Sequence, residues 1–219
     1  MVDLRSFDGT AELYFLRHGE SRGNKDGVIQ GRNHSHLTEN GRGQARIAGG
    51  WFRDKSIDLI LTSPLARAEE TARIIAEAAG IAQVELAPEL MELDTGMFSG
   101  LSLAGARELY PGPWDSFQRE SWEGVADAEK IESLLNRAES LWSKLRDLVG
   151  GGTRHILCVT HSGFLQWIIR STIGGRVWMP LLPSSENCGV THLRIANSRG
   201  PSGSPWHDAA WTMINQAVR

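Results

Sequence analysis

The stretch Leu13-Tyr14-Phe15-Leu16-Arg17-His18-Gly19-Glu20-Ser21 runs from four consecutive apolar residues straight into a cation, an imidazole and a glycine. Such an apolar run, half of it aromatic, predicts a short buried strand, and the carboxyl ends of strands are where open α/β sheets place their ligands. Arg17 and His18 are therefore candidate site residues. Gly19 lets the backbone pass close to a bound group and turns nearby amides toward an anion.

Outward from this stretch, the chain alternates strand and helix. Residues 1–10 are polar and read as a loose tail, and Gly19 to His36, rich in Gly, Asn, Ser and His, reads as loop. Thr38 is an N-cap for a helix over 39–52, with Ala45, Ala48, Trp51 and Phe52 at helical spacing. A strand is expected at 58–62. Ser63-Pro64 then supplies a cap and a first-turn proline for a helix over 65–79, closed by Gly80, and Val84 to Leu86 is a third strand. From Leu101 to Gly150 the spacing predicts a short helix ending near Tyr110, a Pro-Gly-Pro turn and a long amphipathic helix over 126–149, together a helical cap insertion. His155 to Thr160 repeats the opening theme, a buried strand ending in Thr160-His161-Ser162-Gly163, with a helix over 164–173. Cys188 to Ala196 and Trp206 to Ile214 read as an antiparallel hairpin. The expected fold class is α/β, a three-layer α/β/α arrangement with a mostly parallel central sheet and a cap insertion at about 101–150, all in one domain spanning 1–219.

Composition narrows the functions open to such a fold. With 219 residues, 41% hydrophobic and 22% charged, the chain can bury a sizeable core. A net charge of −3 supplies no basic field, so neither nucleic acid nor a membrane surface is an expected partner and any anion site must be local. Cys158 and Cys188, both in strand-like runs, fit reduced packed thiols better than a disulfide framework. Residues 1–11 hold no apolar signal core and no apolar run reaches membrane-spanning length, so a cytoplasmic location is expected.

Chemistry-bearing side chains converge on one end of the expected sheet. Arg17 and His18 leave the first strand, Arg67 opens the helix after the second, His161 leaves a later strand, and Glu92 lies in the loop before the cap. Two guanidiniums and two imidazoles make a cationic pocket, and the arginine fork matches the oxygens of a phosphoryl group. A cation at a helix start, as at Arg67, opposes the helix dipole and asks for an anionic partner. Phosphate is the natural occupant.

On these segments the chain resembles the histidine phosphatase superfamily, in the branch of cofactor-dependent phosphoglycerate mutases and related small-molecule phosphatases. The matching pieces are Leu16 to Ser21 with Asn24, Gln30-Gly31-Arg32, Leu37-Thr38 through Gln44-Ala45, Thr62 to Ala68 with Thr71, Leu90-Met91-Glu92 through Gly100, and Val159 to Gly163. The resemblance implies that His18 is the nucleophile, forming a phosphohistidine while its other nitrogen is fixed, with the backbone around Gly19 the candidate contact. It implies that Arg17, Arg67 and His161 hold the phosphoryl oxygens, with His161 protonated beside a phosphate dianion. Glu92 is then the acid for the leaving alkoxide and the base for water. Asn24, Gln30 and Gly31 add donors from the loop, and the Ser162 amide is a further substrate-binding candidate.

The chain also departs from the family. Many relatives carry aspartate and proline after the Gly-Arg step, where this sequence has Asn33-His34-Ser35-His36, and Arg22-Gly23 replaces an aromatic found before the asparagine in mutases. The His-x-His pair lacks a third ligand at a recognisable spacing, and the implied chemistry needs neither metal nor cofactor. Mutases of this branch use a longer, more basic insertion, whereas residues 101–150 hold nine acids against six bases and the aromatics Tyr110, Trp114, Phe117 and Trp122. The expected activity is metal-independent hydrolysis of a small phosphorylated metabolite, a phosphoric monoester hydrolase. Mutase-type phosphoryl transfer and a non-catalytic phosphate-binding module are the alternatives, and a homodimer stays open.

Overall fold

The computed structural model describes residues 1–175, 185–199, 205–206 and 208–218. Six strands form the central sheet in the order β3-β2-β4-β1-β5-β8: β1 (Thr10–Arg17), β2 (Leu59–Thr62), β3 (Val84–Leu86), β4 (His155–Thr160), β5 (Val190–Ala196) and β8 (Ala209–Gln216). The first four are mutually parallel, and β5 and β8 add an antiparallel edge. The two-residue strands β6 (Ser198–Arg199) and β7 (Pro205–Trp206) pair only with each other.

Alternation along β1 builds two cores. Leu13 and Phe15 join one apolar cluster with α6 (Ile131–Gly150) and α7 (Ser162–Ile173), while Tyr14 and Leu16 join another with α2 (Glu39–Phe52) and α3 (Ala66–Ala79). Helices therefore cover both faces, and the expected three-layer architecture is present. Local signals set the helix limits: the Thr38 hydroxyl accepts the Gly41 amide at 3.0 Å, and Gly80 at φ +74° ends α3.

Several boundaries differ from expectation. The amino-terminal residues are tied down: the Val2 amide bonds Ser171 O at 2.7 Å, and buried Phe7 meets Trp142 edge-on at 6.2 Å. Pro111 opens a helix, α5 (Pro111–Glu120), because a first-turn proline loses no helical hydrogen bond. Ser63 caps no helix in the usual sense; Leu65 holds that position and Ser63 Oγ accepts the Leu65 amide. Cys188 sits in a turn at φ +56° rather than in a strand, and burial pushes its thiol up to about 12; Cys158, on β4, is likewise a free buried thiol.

The cap is smaller than the expected 101–150. Leu134, Ala138, Leu141, Trp142, Leu145 and Val149 of α6 are buried in the sheet's own core, so that helix is part of the outer layer. The separate cluster around Phe98, with Ala106, Val125 and Ala128, is backed by Trp114, Phe117 and Trp122 and includes α4 (Leu103–Leu109) and α5. The remaining helix, α1 (Arg22–Lys25), is a single turn capped by Ser21 and Asn24 within the loop after β1.

Candidate active site

Parallel pairing places Arg17 of β1 directly beside Thr160 of β4, and Thr62 of β2 beside Val159. The residues that follow these strand ends therefore meet at one edge. The His18 and His161 rings lie with centroids 5.1 Å apart, both essentially buried.

His18 is held at both nitrogens. Its Nδ1 lies 2.7 Å from the Gly19 carbonyl, which requires the proton on Nδ1 and leaves the Nε2 lone pair free to accept; Arg67 Nε donates to it at 3.2 Å. Burial first, then the charges of Arg67 and Arg17, push the imidazole well below its ordinary range despite the Gly19 bond, so it is neutral at pH 7. The guanidinium of Arg67, 1% exposed, is fixed further by donation to Gly31 O at 2.7 Å and Asn33 O at 3.0 Å. Its pKa falls to about 10, through burial and Arg17 against the pull of Glu92, and it stays charged.

His161 Nε2 lies 2.8 Å from Ser63 Oγ, which also accepts the Leu65 amide; in the tautomer in which the Ser63 hydroxyl donates to Nε2, the ring proton sits on Nδ1. That Nδ1 is buried with no partner among the described residues, as is Arg17 Nε, whose Nη1 donates to Ser185 O. Buried donors normally find an acceptor, so these two unpaired nitrogens make the strand ends a candidate anion site. Burial, followed by Arg67, His18, Arg17 and Arg137, keeps His161 neutral in these surroundings.

Glu92 faces the cluster from the loop after β3. Its carboxyl accepts the Leu93 and Phe164 amides at 2.9 Å on Oε1 and the Gly163 amide at 3.2 Å on Oε2, the last two from the first turn of α7. Arg17, His18, Asn24, Gln30, Gly31, Arg67 and Glu92 line one cavity of about 250 Å³ with Val28, Ile29, Leu93, Thr95, Trp122 and Gly163.

Gly31 lines the cavity and also turns its carbonyl to Arg67, so it helps hold that guanidinium, whereas Ser162 is not among the lining residues; its Oγ accepts the Ser185 amide and the neighbouring Gly163 lines the cavity. Asn24 commits its Oδ1 to Ser21, and Gln30 Oε1 accepts the Ser21 hydroxyl at 2.8 Å. Sequence reading missed Asn187, whose Nδ2 donates to His18 O at 3.0 Å from a loop that carries no motif. Exposed His34 and His36 join no metal-binding group; none of three or more His, Cys, Asp or Glu occurs among the described residues. No helix among those residues is long and apolar enough to cross a membrane.

A mostly parallel sheet carrying an imidazole at each of two adjacent strand ends, with arginines converging between them, defines an α/β protein with a candidate anion site at its carboxyl edge. The chain matches the histidine phosphatase superfamily (branch 1) over residues 13–203 and belongs to it. It is 30% identical over 210 residues to a probable 2-carboxy-D-arabinitol-1-phosphatase of Arabidopsis thaliana, covering 94% of this chain but only 42% of that longer protein. It is 28% identical to a probable phosphoglycerate mutase GpmB of Enterobacter sp. (strain 638), covering 92% of this chain and 90% of the relative. Among solved structures, a mycobacterial glucosyl-3-phosphoglycerate phosphatase in complexes with VO3 superposes with a TM-score of 0.77 at 23% identity, covering 94% of this chain and 99% of that one.

Proposed function

We propose that this protein hydrolyses a small phosphomonoester through a phosphohistidine on His18, without metal or cofactor. The observation that carries the reading is the state of the His18 ring: neutral, anchored at Nδ1, with its Nε2 lone pair directed into a cluster of fixed cations. Nε2 attacks phosphorus while the P–O bond to the leaving group breaks, Glu92 supplies the proton that the departing alkoxide needs, and the His18–phosphoryl bond forms. Water then attacks phosphorus, gives its proton to Glu92, and the P–N bond breaks to release inorganic phosphate. Arg17, Arg67 and His161 hold the equatorial oxygens throughout. A phosphate dianion beside His161 supplies the charge that restores its proton.

Hydrolysis is favoured over transfer between two anionic positions by the walls around the cluster. Beyond Arg17 and Arg67 the cavity is lined by Val28, Ile29, Leu93 and Trp122 with the uncharged Asn24, Gln30 and Thr95, and Arg32 nearby is engaged by Glu129 and Asp94. That lining suits an uncharged, partly apolar organic group and offers no cation beyond Arg17 and Arg67 among the described residues.

The test is release of p-nitrophenol from p-nitrophenyl phosphate in the presence of EDTA, with a rapid acid-free quench to trap labelled protein. Metal-free turnover and an alkali-stable phosphoenzyme, both lost in His18→Ala with at least about a thousandfold loss of rate, are expected. Interconversion of phosphoglycerates without net phosphate release would instead establish the mutase, and binding of phosphate without turnover would establish the non-catalytic module.

A further inference from the structure

The Glu92 loop is clasped from outside by a carboxylate that no part of the chemistry above uses. Glu129 precedes α6, in the segment whose backbone pairs with the Glu92 loop: Thr95 bridges Ala128, and the Glu129 amide donates to Asp94 O at 2.9 Å. Its side chain is 5% exposed and receives Arg137 at both oxygens (Nε at 3.0 Å, Nη2 at 2.7 Å), Arg32 Nη2 at 3.1 Å and Ser133 Oγ at 2.9 Å.

Neither arginine stops at Glu129. Arg137 Nη1 donates to the carbonyls of Glu89 at 2.9 Å and Met91 at 2.6 Å, and its guanidinium lies 3.7 Å over the Phe164 ring. The Phe164 amide is itself one of the donors to the Glu92 carboxyl. Arg32 Nε donates to the Glu92 carbonyl at 3.3 Å. One buried carboxylate therefore reaches Glu92 from three sides: the peptide before it, its own carbonyl, and the amide that orients its carboxyl. A buried ion cluster of this kind is a weak source of net stability, since desolvation offsets most of the attraction, but it fixes geometry tightly.

We propose that Glu129 is a positioning residue for proton transfer, holding Glu92 in register with the leaving-group oxygen through Arg137 and Arg32. The inference rests on the reading of Glu92 as the acid, and its consequence depends on the leaving group. An alkoxide needs a proton to depart, whereas p-nitrophenolate hardly does, so misplacing the acid slows one ester and spares the other.

The experiment compares kcat/KM, which reports steps up to leaving-group departure, for 2-phenylethyl phosphate and p-nitrophenyl phosphate in the full-length enzyme. Glu92→Gln sets the scale, with a loss of about 10²–10³ on the alkyl ester and about threefold or less on the aryl ester. Glu129→Gln is expected to lose about 10- to 100-fold on the alkyl ester alone, and the double variant to be no worse than Glu92→Gln, as for residues acting in one unit. Arg32→Gln, which cuts the Glu92 carbonyl contact while leaving the Arg137–Glu129 pair intact, gives the same signature more weakly and serves if Glu129→Gln does not fold. Equal losses on both esters, no loss on either, or additivity with Glu92→Gln in the variant that folds would overturn the positioning role alone. A Glu92→Gln enzyme indifferent to the leaving group overturns the reading of Glu92 and the positioning role with it.

Discussion

Arg67 shows how one side chain can carry two duties. Its Nη1 and Nη2 grip the carbonyls of Asn33 and Gly31, and its Nε caps the lone pair with which His18 would attack. Lysine keeps the charge but cannot present three directed donors from one plane. Arg67→Lys is therefore expected to lower kcat/KM by about 10²–10³ and to weaken competitive inhibition by inorganic phosphate, checked by steady-state kinetics beside a circular dichroism spectrum that stays unchanged. At this scale the sequence was informative where chemistry fixes residue type: His18, Arg67 and His161 stood out as charged or titratable groups at predicted element ends. Glu129 and Asn187 did not, because nothing local distinguishes them from solvated polar residues; their roles come from contacts across 35 residues to Asp94 and 169 to His18.

The elements that carry the site meet through backbone, which leaves little room at the joints. Gly96, at φ +55°, lies against the cap segment so closely that an added Cβ would sit 2.2 Å from Ala126 O and 2.4 Å from the Ala128 amide nitrogen. Gly96→Ala combines a disfavoured left-handed conformation with a collision against main chain that cannot rotate away. A loss of about 2 kcal/mol or more is expected by urea unfolding, along with lower activity on alkyl esters, since the displaced segment carries Glu129. Helices and strands with strong periodicity or caps, such as α2, α3 and β4, were legible to within a residue or two, whereas β1 starts at Thr10, three residues before the apolar run that signals it. The cap was not: the helical period of α6 is the same whether it faces an insertion or a sheet, and only the tertiary partners of Leu141 and Trp142 decide it.

For the molecule as a whole, two buried neutral imidazoles link folding to proton concentration. Both His18 and His161 are held well below the ordinary histidine value of 6.5, first by burial and then by neighbouring arginines. Their native pKa values are depressed, so the unfolded chain binds more protons as pH falls below about 6.5, and stability present above that value is lost on acidification. Each contributes a slope of up to about 1.4 kcal/mol per pH unit. Urea midpoints should therefore drop between pH 7 and 5.5, and His161→Asn should flatten the decline by roughly half of this pair's share. Saturating phosphate should oppose the decline by pairing with the imidazolium it induces.

The sheet order also dictates how the chain can be made. β1 is made well before its two neighbours, β4 and β5, which begin at His155 and Val190, and β2 lies on the far side of β4. Until residues 155–160 are made, the Leu13–Leu16 run has no strand to pair with, and the emerging polypeptide carries an unpaired apolar ribbon. Closure of the sheet around β1, and with it the meeting of the His18 and His161 rings, waits for the segment around Thr160.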